Sequence, residues 1–201
     1  MTARLSRDQL LRRGAIGGGA FVLSGSAVAA LAGRAAAATL PDTDLAYLRI
    51  LIGAELLAAD FQAKALASGK LSRSSTPVFR KMAVDEKAHY TGLAQVLTAA
   101  GQTPATEDDI GFLYPRGSFA SEASIVKLAA EIEGIVLGTY LGSIEGTQTA
   151  ELRLPIGQIS ANEAQHVGAV AALSGRPVIG RAFAPSLTID AASTALDKFE
   201  S

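Results

Sequence analysis

Two short segments of the chain combine a glutamate and a histidine at the same spacing. The sequence has only two histidines, His89 and His166, and each follows a glutamate, Glu86 or Glu163, by three residues. On a helix, residues three apart share a face, so both side chains of a pair can reach the same ion. Oxygen and nitrogen donors without sulfur suit Fe or Mn better than Cu(I) or a structural Zn. The two segments therefore predict a metal site.

Two further glutamates complete a repeated pattern. Glu55 precedes Glu86 by 31 residues, and Glu133 precedes Glu163 by 30. Each half of the chain thus has a helix with one glutamate and then a helix with Glu-x-x-His, as in di-iron and di-manganese bundles. Four buried carboxylates are costly unless they are neutralised, and a pair of divalent cations would do this. We predict two Fe or two Mn ions; the alternative is a metal-free polar network.

Four helices are expected to position these side chains. Helix 1 is expected to run from Asp42 or Thr43 to Gly69, and helix 2 over residues 75–100. Helix 3 should begin after Ser121, and helix 4 should run from near Pro155 to Gly175. Along each helix the apolar residues recur at spacings of three and four, which trace one stripe. The four glutamates lie within these stripes rather than opposite them. The carboxylates should therefore face the core.

The fold predicted from these elements is an all-α antiparallel four-helix bundle in residues 39–175. Residues 101–120 contain three glycines, two prolines and an acidic cluster, and are expected to form a long crossover between helices 2 and 3. Residues 176–201 should form an extended segment and a short helix from Ile189. The crossover would let two helical hairpins pack around a pseudo-twofold axis.

The first 38 residues have the layout of a signal peptide. A basic start, which includes Arg12 and Arg13, precedes a weakly apolar, Gly-rich stretch and a run of small residues. We expect export to the periplasm, the cell envelope or the medium, by the twin-arginine route or the general export machinery. An uncleaved membrane anchor is the alternative.

The charge and the cysteine count exclude several classes of function. Loss of residues 1–38 removes five of 18 basic and one of 19 acidic residues, which leaves 13 and 18 and a net charge of −5. That balance argues against a nucleic-acid partner. The chain has no cysteine, so disulfides, thiolate metal sites and cysteine nucleophiles are excluded.

Several sequence words resemble a known family. "GAELLAADF", "DEKAHY", "GFLYPRGSFAS", "EIEGIVLGTYLG" and "NEAQHV" are similar to the ferritin-like superfamily, especially its exported bacterial branch related to plant desiccation-related proteins. The likeness covers residues 40–200. It implies six metal ligands: Glu55, Glu86, His89, Glu133, Glu163 and His166. Glu86 and Glu163 would bridge two metals, and the other four would be terminal.

The third helix offers two glutamates, and the resemblance favours one of them. In that branch the ligand lies seven residues before a Tyr-Leu-Gly, which here selects Glu133 over Glu131 because the word begins at Tyr140. Glu131 stays a candidate for a supporting or substitute role beside the ligands. Tyr90 and Tyr140 flank the apolar stripes, and for each the alternatives are packing in the core and a hydrogen bond to a ligand carboxylate.

The function expected from these features is a reaction of a di-metal centre with O2 or peroxide, by Fe(II) oxidation or peroxide removal. The alternative is a non-enzymatic envelope or stress-protection protein whose metal, if any, is structural. Ferritin-type iron storage is a third interpretation and would need a closed multi-subunit shell. A homodimer is a candidate for the oligomeric state.

Overall fold

The structure, a computed structural model, describes residues 40–200, so the expected signal peptide of residues 1–38 lies outside the described part. Within these residues, five α-helices follow one another. They are α1 (Asp42–Ala67), α2 (Ser75–Ala99), α3 (Glu122–Gly146), α4 (Ala150–Leu173) and α5 (Ile189–Leu196), followed by a 3₁₀ turn at Asp197–Phe199.

The four long helices form a bundle of two hairpins. Helix α1 packs against α2, α3 packs against α4, and the hairpins meet mainly through α1 and α3. The short helix α5 rests on α1 and α3. The segment between α2 and α3 crosses from one hairpin to the other. The predicted all-α bundle, with its crossover and terminal short helix, is confirmed.

The core includes most residues of the apolar stripes that carry the glutamates, and it extends beyond those stripes to other faces of the helices. The largest side chains with essentially no exposed surface include Leu51, Leu57, Phe61, Phe79, Ile125 and Ile132. Each such side chain stabilises the fold by roughly 1.5–3 kcal/mol when it leaves water. Because these residues come from α1, α2 and α3, their packing fixes the rotation of each helix and so aims the polar residues on the same stripes inward.

Helix α4 begins earlier than predicted, at Ala150 rather than near Pro155. Proline lacks a backbone N–H, so its presence in the second turn removes only one helical hydrogen bond. The buried carboxylate of Asp44 compensates at the helix start, because it accepts hydrogen bonds from the backbone N–H groups of Gln148 (2.7 Å) and Thr149 (2.9 Å). A negative charge at this end also suits the helix dipole.

The chain after α4 returns across α3, where two glycines admit it. The backbone N–H of Leu187 donates to the carbonyl of Gly138 at 2.8 Å. A Cβ at Gly142 would overlap with the carbonyl oxygen of Leu187. This close approach explains why glycine follows Tyr140 by two residues. Within residues 40–200, the structure contains no helix that is both long and apolar enough to span a bilayer.

Candidate metal centre

All six side chains implied as ligands lie in one buried cluster between the four long helices. Helices α1 and α3 contribute one glutamate each, and α2 and α4 contribute one Glu-x-x-His pair each. The four carboxylates have no exposed surface, while His89 and His166 are 3% and 4% exposed. The cluster is therefore sealed from bulk water on all sides but the backs of the two imidazoles.

The first set of converging ligand atoms surrounds His89. Its Nδ1 lies 2.9 Å from Glu163 Oε1, 3.4 Å from Glu86 Oε2 and 3.6 Å from Glu55 Oε2. One ligand atom from each of these four residues lies within 4.8 Å of all the others. We call this set the His89 half-site.

The second set surrounds His166 and shares two carboxylates with the first. The Nδ1 atom of His166 lies 3.1 Å from Glu86 Oε1, 3.4 Å from Glu163 Oε2 and 3.5 Å from Glu133 Oε2. These four residues meet the same 4.8 Å criterion, and we call them the His166 half-site. Glu86 and Glu163 face both histidines with different oxygens, whereas Glu55 and Glu133 each face one. The two imidazole centroids are 6.1 Å apart.

The polar atoms of the cluster face one another without forming hydrogen bonds. Although the contacts are short, the buried side-chain atoms that lack a hydrogen-bond partner include both histidine Nδ1 atoms and at least one oxygen of every glutamate in the cluster. Unpartnered buried groups cost free energy, which an ion between them would recover. This donor set of carboxylate oxygens and imidazole nitrogens fits Fe or Mn.

Burial and neighbouring charges shift the pKa values of most of the cluster residues. Burial alone would lower the pKa of the histidines, but contacts with the carboxylates outweigh it, raising the pKa of His89 to about 12 and that of His166 well above its ordinary range. Burial, reinforced by neighbouring negative charges, raises the pKa of Glu133 to about 8 and that of Glu55 well above normal. Burial opposes the ionisation of Glu86, yet the two histidines lower its pKa to about 2.

Each terminal carboxylate accepts a hydrogen bond from the other half of the bundle. The side-chain amide of Gln62 on α1 donates to Glu133 Oε1 on α3 at 2.8 Å. The hydroxyl of Tyr140 on α3 donates to Glu55 Oε1 on α1. The expected contact of Tyr140 with a ligand carboxylate is therefore present in the structure. The sequence analysis assigned Gln62 no role at the cluster, although a signal was available: Gln62 follows Glu55 by seven residues, as Tyr140 follows Glu133.

The sequence reasoning also missed Asp85. Its Oδ2 lies 3.2 Å from Nε2 of His166, on the side of the ring that faces away from the cluster. Lys81, four residues earlier on α2, pairs with the other oxygen of Asp85. The available signal was its position next to Glu86, since a residue beside a ligand on one helix often faces the neighbouring helix.

Two candidates for supporting roles do not reach the cluster. Glu131 is exposed on the outer side of α3, because it lies two residues from Glu133 and so points away from the core. The hydroxyl of Tyr90 donates to the backbone carbonyl of Ala105 in the crossover at 2.9 Å, instead of to a ligand carboxylate. Both expectations are corrected: Tyr90 ties the crossover to α2, and Glu131 belongs to the surface.

A comparison with known protein families identifies the family to which the chain belongs. The model of the ferritin-like domain matches residues 43–176, which include the four long helices and all six residues of the cluster. The chain belongs to the ferritin-like family. A search among curated proteins found no significant match. The ferritin-like bundle and its buried Glu and His side chains are thus compatible with metal binding.

The two cavities described for this ferritin-like chain lie away from the cluster. They have volumes of about 560 and 530 Å³ and lie along α3 and α4, with Ala130 and Arg176 in the lining of both. None of the six cluster residues lines either cavity.

Proposed function

We propose that this ferritin-like protein holds two Fe or two Mn ions in the cluster and reacts there with O2 or peroxide. The observation that carries the proposal is the convergence of unpartnered oxygen and nitrogen atoms from six buried residues. The arrangement supports one ion in each half-site, bridged by Glu86 and Glu163. Glu55 and His89 would be terminal ligands of one ion, and Glu133 and His166 those of the other.

The protein's own residues would supply geometry and exclude water. When bound, the ions would supply the redox change and the binding of the oxidant. Tyr140 and Gln62 hold one oxygen of Glu55 and Glu133 and leave the second oxygen directed at the cluster. Because the ligand carboxylates are completely buried, their interactions with cations are little weakened by solvent. These contacts would hold the carboxylates in position around the ions.

The burial of the cluster also favours a small oxidant over a larger organic substrate. The nearest atoms to the histidines are carboxylates of the cluster itself, and the described cavities lie elsewhere. Dioxygen and hydrogen peroxide are small enough to enter a packed bundle during ordinary side-chain motion. Fe(II) oxidation or peroxide removal fits such access.

The test is reconstitution of the purified protein with Fe(II) or Mn(II), followed by measurement of O2 and peroxide consumption. Turnover that disappears in Glu86→Gln is expected, because this residue faces both half-sites. Glu131→Gln is the matched control, since it removes an exposed glutamate from a ligand-bearing helix. Tight metal binding without turnover of either oxidant would contradict the proposed reaction.

A second function is a non-enzymatic envelope or stress-protection protein in which the metal only stabilises the bundle. The observation that favours it is the absence of any cluster residue from the described cavities. Thermal melting with and without a chelator distinguishes the two functions when it is combined with the turnover assay. A large loss of stability on metal removal, without any redox activity, would support this second function.

We also propose that the chain is exported, as a member of the bacterial branch related to plant desiccation-related proteins. The basic, Gly-rich leader and the sequence words of the bundle support this proposal. A twin-arginine route would suit a metal protein, because that route exports folded cargo with its metal already chosen in the cytoplasm. A homodimer is one proposed assembly; a ferritin-type storage shell, the third interpretation, would be evident from its mass.

A further inference from the structure

The two half-sites differ in the residue that precedes each bridging glutamate. Asp85 precedes Glu86 on α2, and Asn162 precedes Glu163 on α4, so the two occupy equivalent positions in the repeated helix pattern. One is charged and the other is neutral. This is an asymmetry that the six ligands do not have, because each half-site has the same ligand types.

Asp85 is placed to act on a ligand of the opposite helix. Its carboxylate lies 3.2 Å from the outward Nε2 of His166, while the inward Nδ1 of that ring faces the cluster. Lys81 holds the other oxygen of Asp85 and so fixes the carboxylate. If a metal binds at Nδ1, the ring proton is on Nε2 and donates to Asp85. Such a carboxylate orients the ring and makes its ligand nitrogen a stronger donor.

His89 has no such partner among the described residues. All of its contacts with charged groups are made by Nδ1. The equivalent position on α4 is the half-buried, uncharged Asn162. An amide can orient a ring but cannot add a negative charge behind it.

The hydrogen bonds to Glu55 and Glu133 also favour the His166 half-site as the stronger electron donor. Glu133, in the His166 half-site, accepts from the amide of Gln62, whereas Glu55, in the His89 half-site, accepts from the phenol of Tyr140. A phenol is the more acidic donor, so it withdraws more charge from its acceptor than an amide does. Both differences therefore make the His166 half-site the stronger electron donor.

We propose that the half-sites bind metal unequally, and that the His166 half-site takes the first ion because Asp85 positions and polarises its histidine. This inference rests on the proposed di-metal centre. Asp85 is a positioning residue: it contacts a ligand and not the metal. The protein would thus pass through a defined one-metal form in which the His89 half-site is still empty.

The experiment is a titration of the purified metal-free protein with Mn(II), followed by calorimetry and by electron paramagnetic resonance at one Mn(II) per chain. Two binding steps are expected, with a Kd ratio of about 10. At one Mn(II) per chain, the fraction of Mn(II) that is isolated rather than in a spin-coupled pair should exceed the fraction expected for two equal, independent sites. Asp85→Asn should weaken the first step about tenfold and merge the two. Asn162→Asp should tighten the second step.

Asp60→Asn is the matched control, because Asp60 also pairs with a lysine four residues away, Lys64. This change should leave both binding steps unchanged.

Assignment to a half-site uses the histidines. In a His89→Gln background only the His166 half-site keeps its histidine, and Asp85→Asn should weaken the remaining binding about tenfold. In a His166→Gln background the same change should have no effect. Thermal melting of each metal-free variant checks that the variant folds. Asn162→Asp is a further test of the role of the carboxylate behind the histidine, because misfolding cannot produce a gain of metal affinity.

The outcomes separate this inference from the proposed reaction. Two equal binding steps in the unchanged protein, an equal weakening of both steps by Asp85→Asn, or no metal binding would overturn the inference. Unequal steps together with no consumption of O2 or peroxide would leave the inference intact and would contradict only the proposed reaction.

Discussion

The side-chain amide of Gln62 donates a 2.8 Å hydrogen bond to Glu133, although the two residues belong to different hairpins. Gln62 follows Glu55 by seven residues, and Tyr140 follows Glu133 by the same number and donates to Glu55 in return. Seven residues are two helical turns, so each donor lies on the same face as the glutamate it follows. Each half of the bundle thus holds the terminal carboxylate of the other half.

This exchange predicts that Tyr140→Phe weakens metal binding. The change removes only the hydroxyl that holds Glu55, so the fold should survive, with a loss of about 1–3 kcal/mol for the buried carboxylate left without its donor. Affinity for Mn(II) should fall about tenfold, as expected when a partner of a ligand is lost. Urea unfolding and Mn(II) titration measure the two effects. Tyr90→Phe is the control, because its hydroxyl binds the carbonyl of Ala105; it should leave metal affinity unchanged.

Replacement of a shared glutamate should cost more than replacement of a terminal one. Glu163 faces both histidines, so Glu163→Gln should weaken both metals together, and by more than Glu55→Gln. The melting temperature of the metal-loaded protein should fall. In a metal-free polar network the same change would remove a buried charge and leave stability equal or higher. Parallel melting of both loaded variants therefore separates a metal centre from a polar network by the sign of the change.

The metal-free protein should lose stability as the pH rises above 4.5, through about 8 and on toward about 12. The pKa of His89 is raised from 6.5 to about 12, so its contribution to stability is complete below the unfolded value and is lost toward the folded one. The pKa of Glu133 is raised from 4.5 to about 8, so folding binds a proton that is lost across that window. The lowered pKa of Glu86, about 2, acts oppositely and only in acid.

Bound metal should suppress this pH dependence, because it takes the place of the protons and releases them on binding. Melting curves of chelator-treated and metal-loaded protein at several pH values test the prediction. Proton release during Mn(II) titration in weak buffer gives a direct count. A metal-free protein whose stability rises over the same interval would contradict it.

Export predicts a processed amino terminus. Protein recovered from outside the cytoplasmic membrane should begin near Ala38 or Thr39, and replacement of Arg12 and Arg13 by lysine should block export if the twin-arginine route is used. Amino-terminal sequencing of the envelope and soluble fractions checks both points. Recovery of Met1 or Thr2 on envelope protein would instead support an uncleaved anchor, and unchanged export of the lysine variant would exclude the arginine pair as the signal.

The elements and the cluster could be predicted because they depend on local spacing. Offsets of three and four place Glu55, Glu86, Glu133 and Glu163 on apolar stripes, and a stripe in a bundle must face the core. The partner of each ligand could not be read in the same way. The contact of Asp85 with His166 depends on the rotation and separation of α2 and α4, which side-chain packing sets.

The start of α4 and the fate of Tyr90 show the same limit. Pro155 is a local signal for a helix start, yet the distant Asp44 holds the backbone N–H groups of Gln148 and Thr149 and so supports an earlier start. Tyr90 follows His89 of the cluster in the sequence, but its hydroxyl donates to the backbone carbonyl of Ala105 in the crossover. In both cases a long-range hydrogen bond decided what the local pattern left open.

The most direct test of the account is the metal content of the purified protein. Elemental analysis of protein matured in cells, and again after anaerobic reconstitution, should give about two Fe or Mn per chain. Glu131→Gln should retain that content, and Glu86→Gln should lose most of it, because Glu86 faces both half-sites whereas Glu131 is exposed. Fewer than about half a metal ion per chain after reconstitution of the unchanged protein would contradict the account.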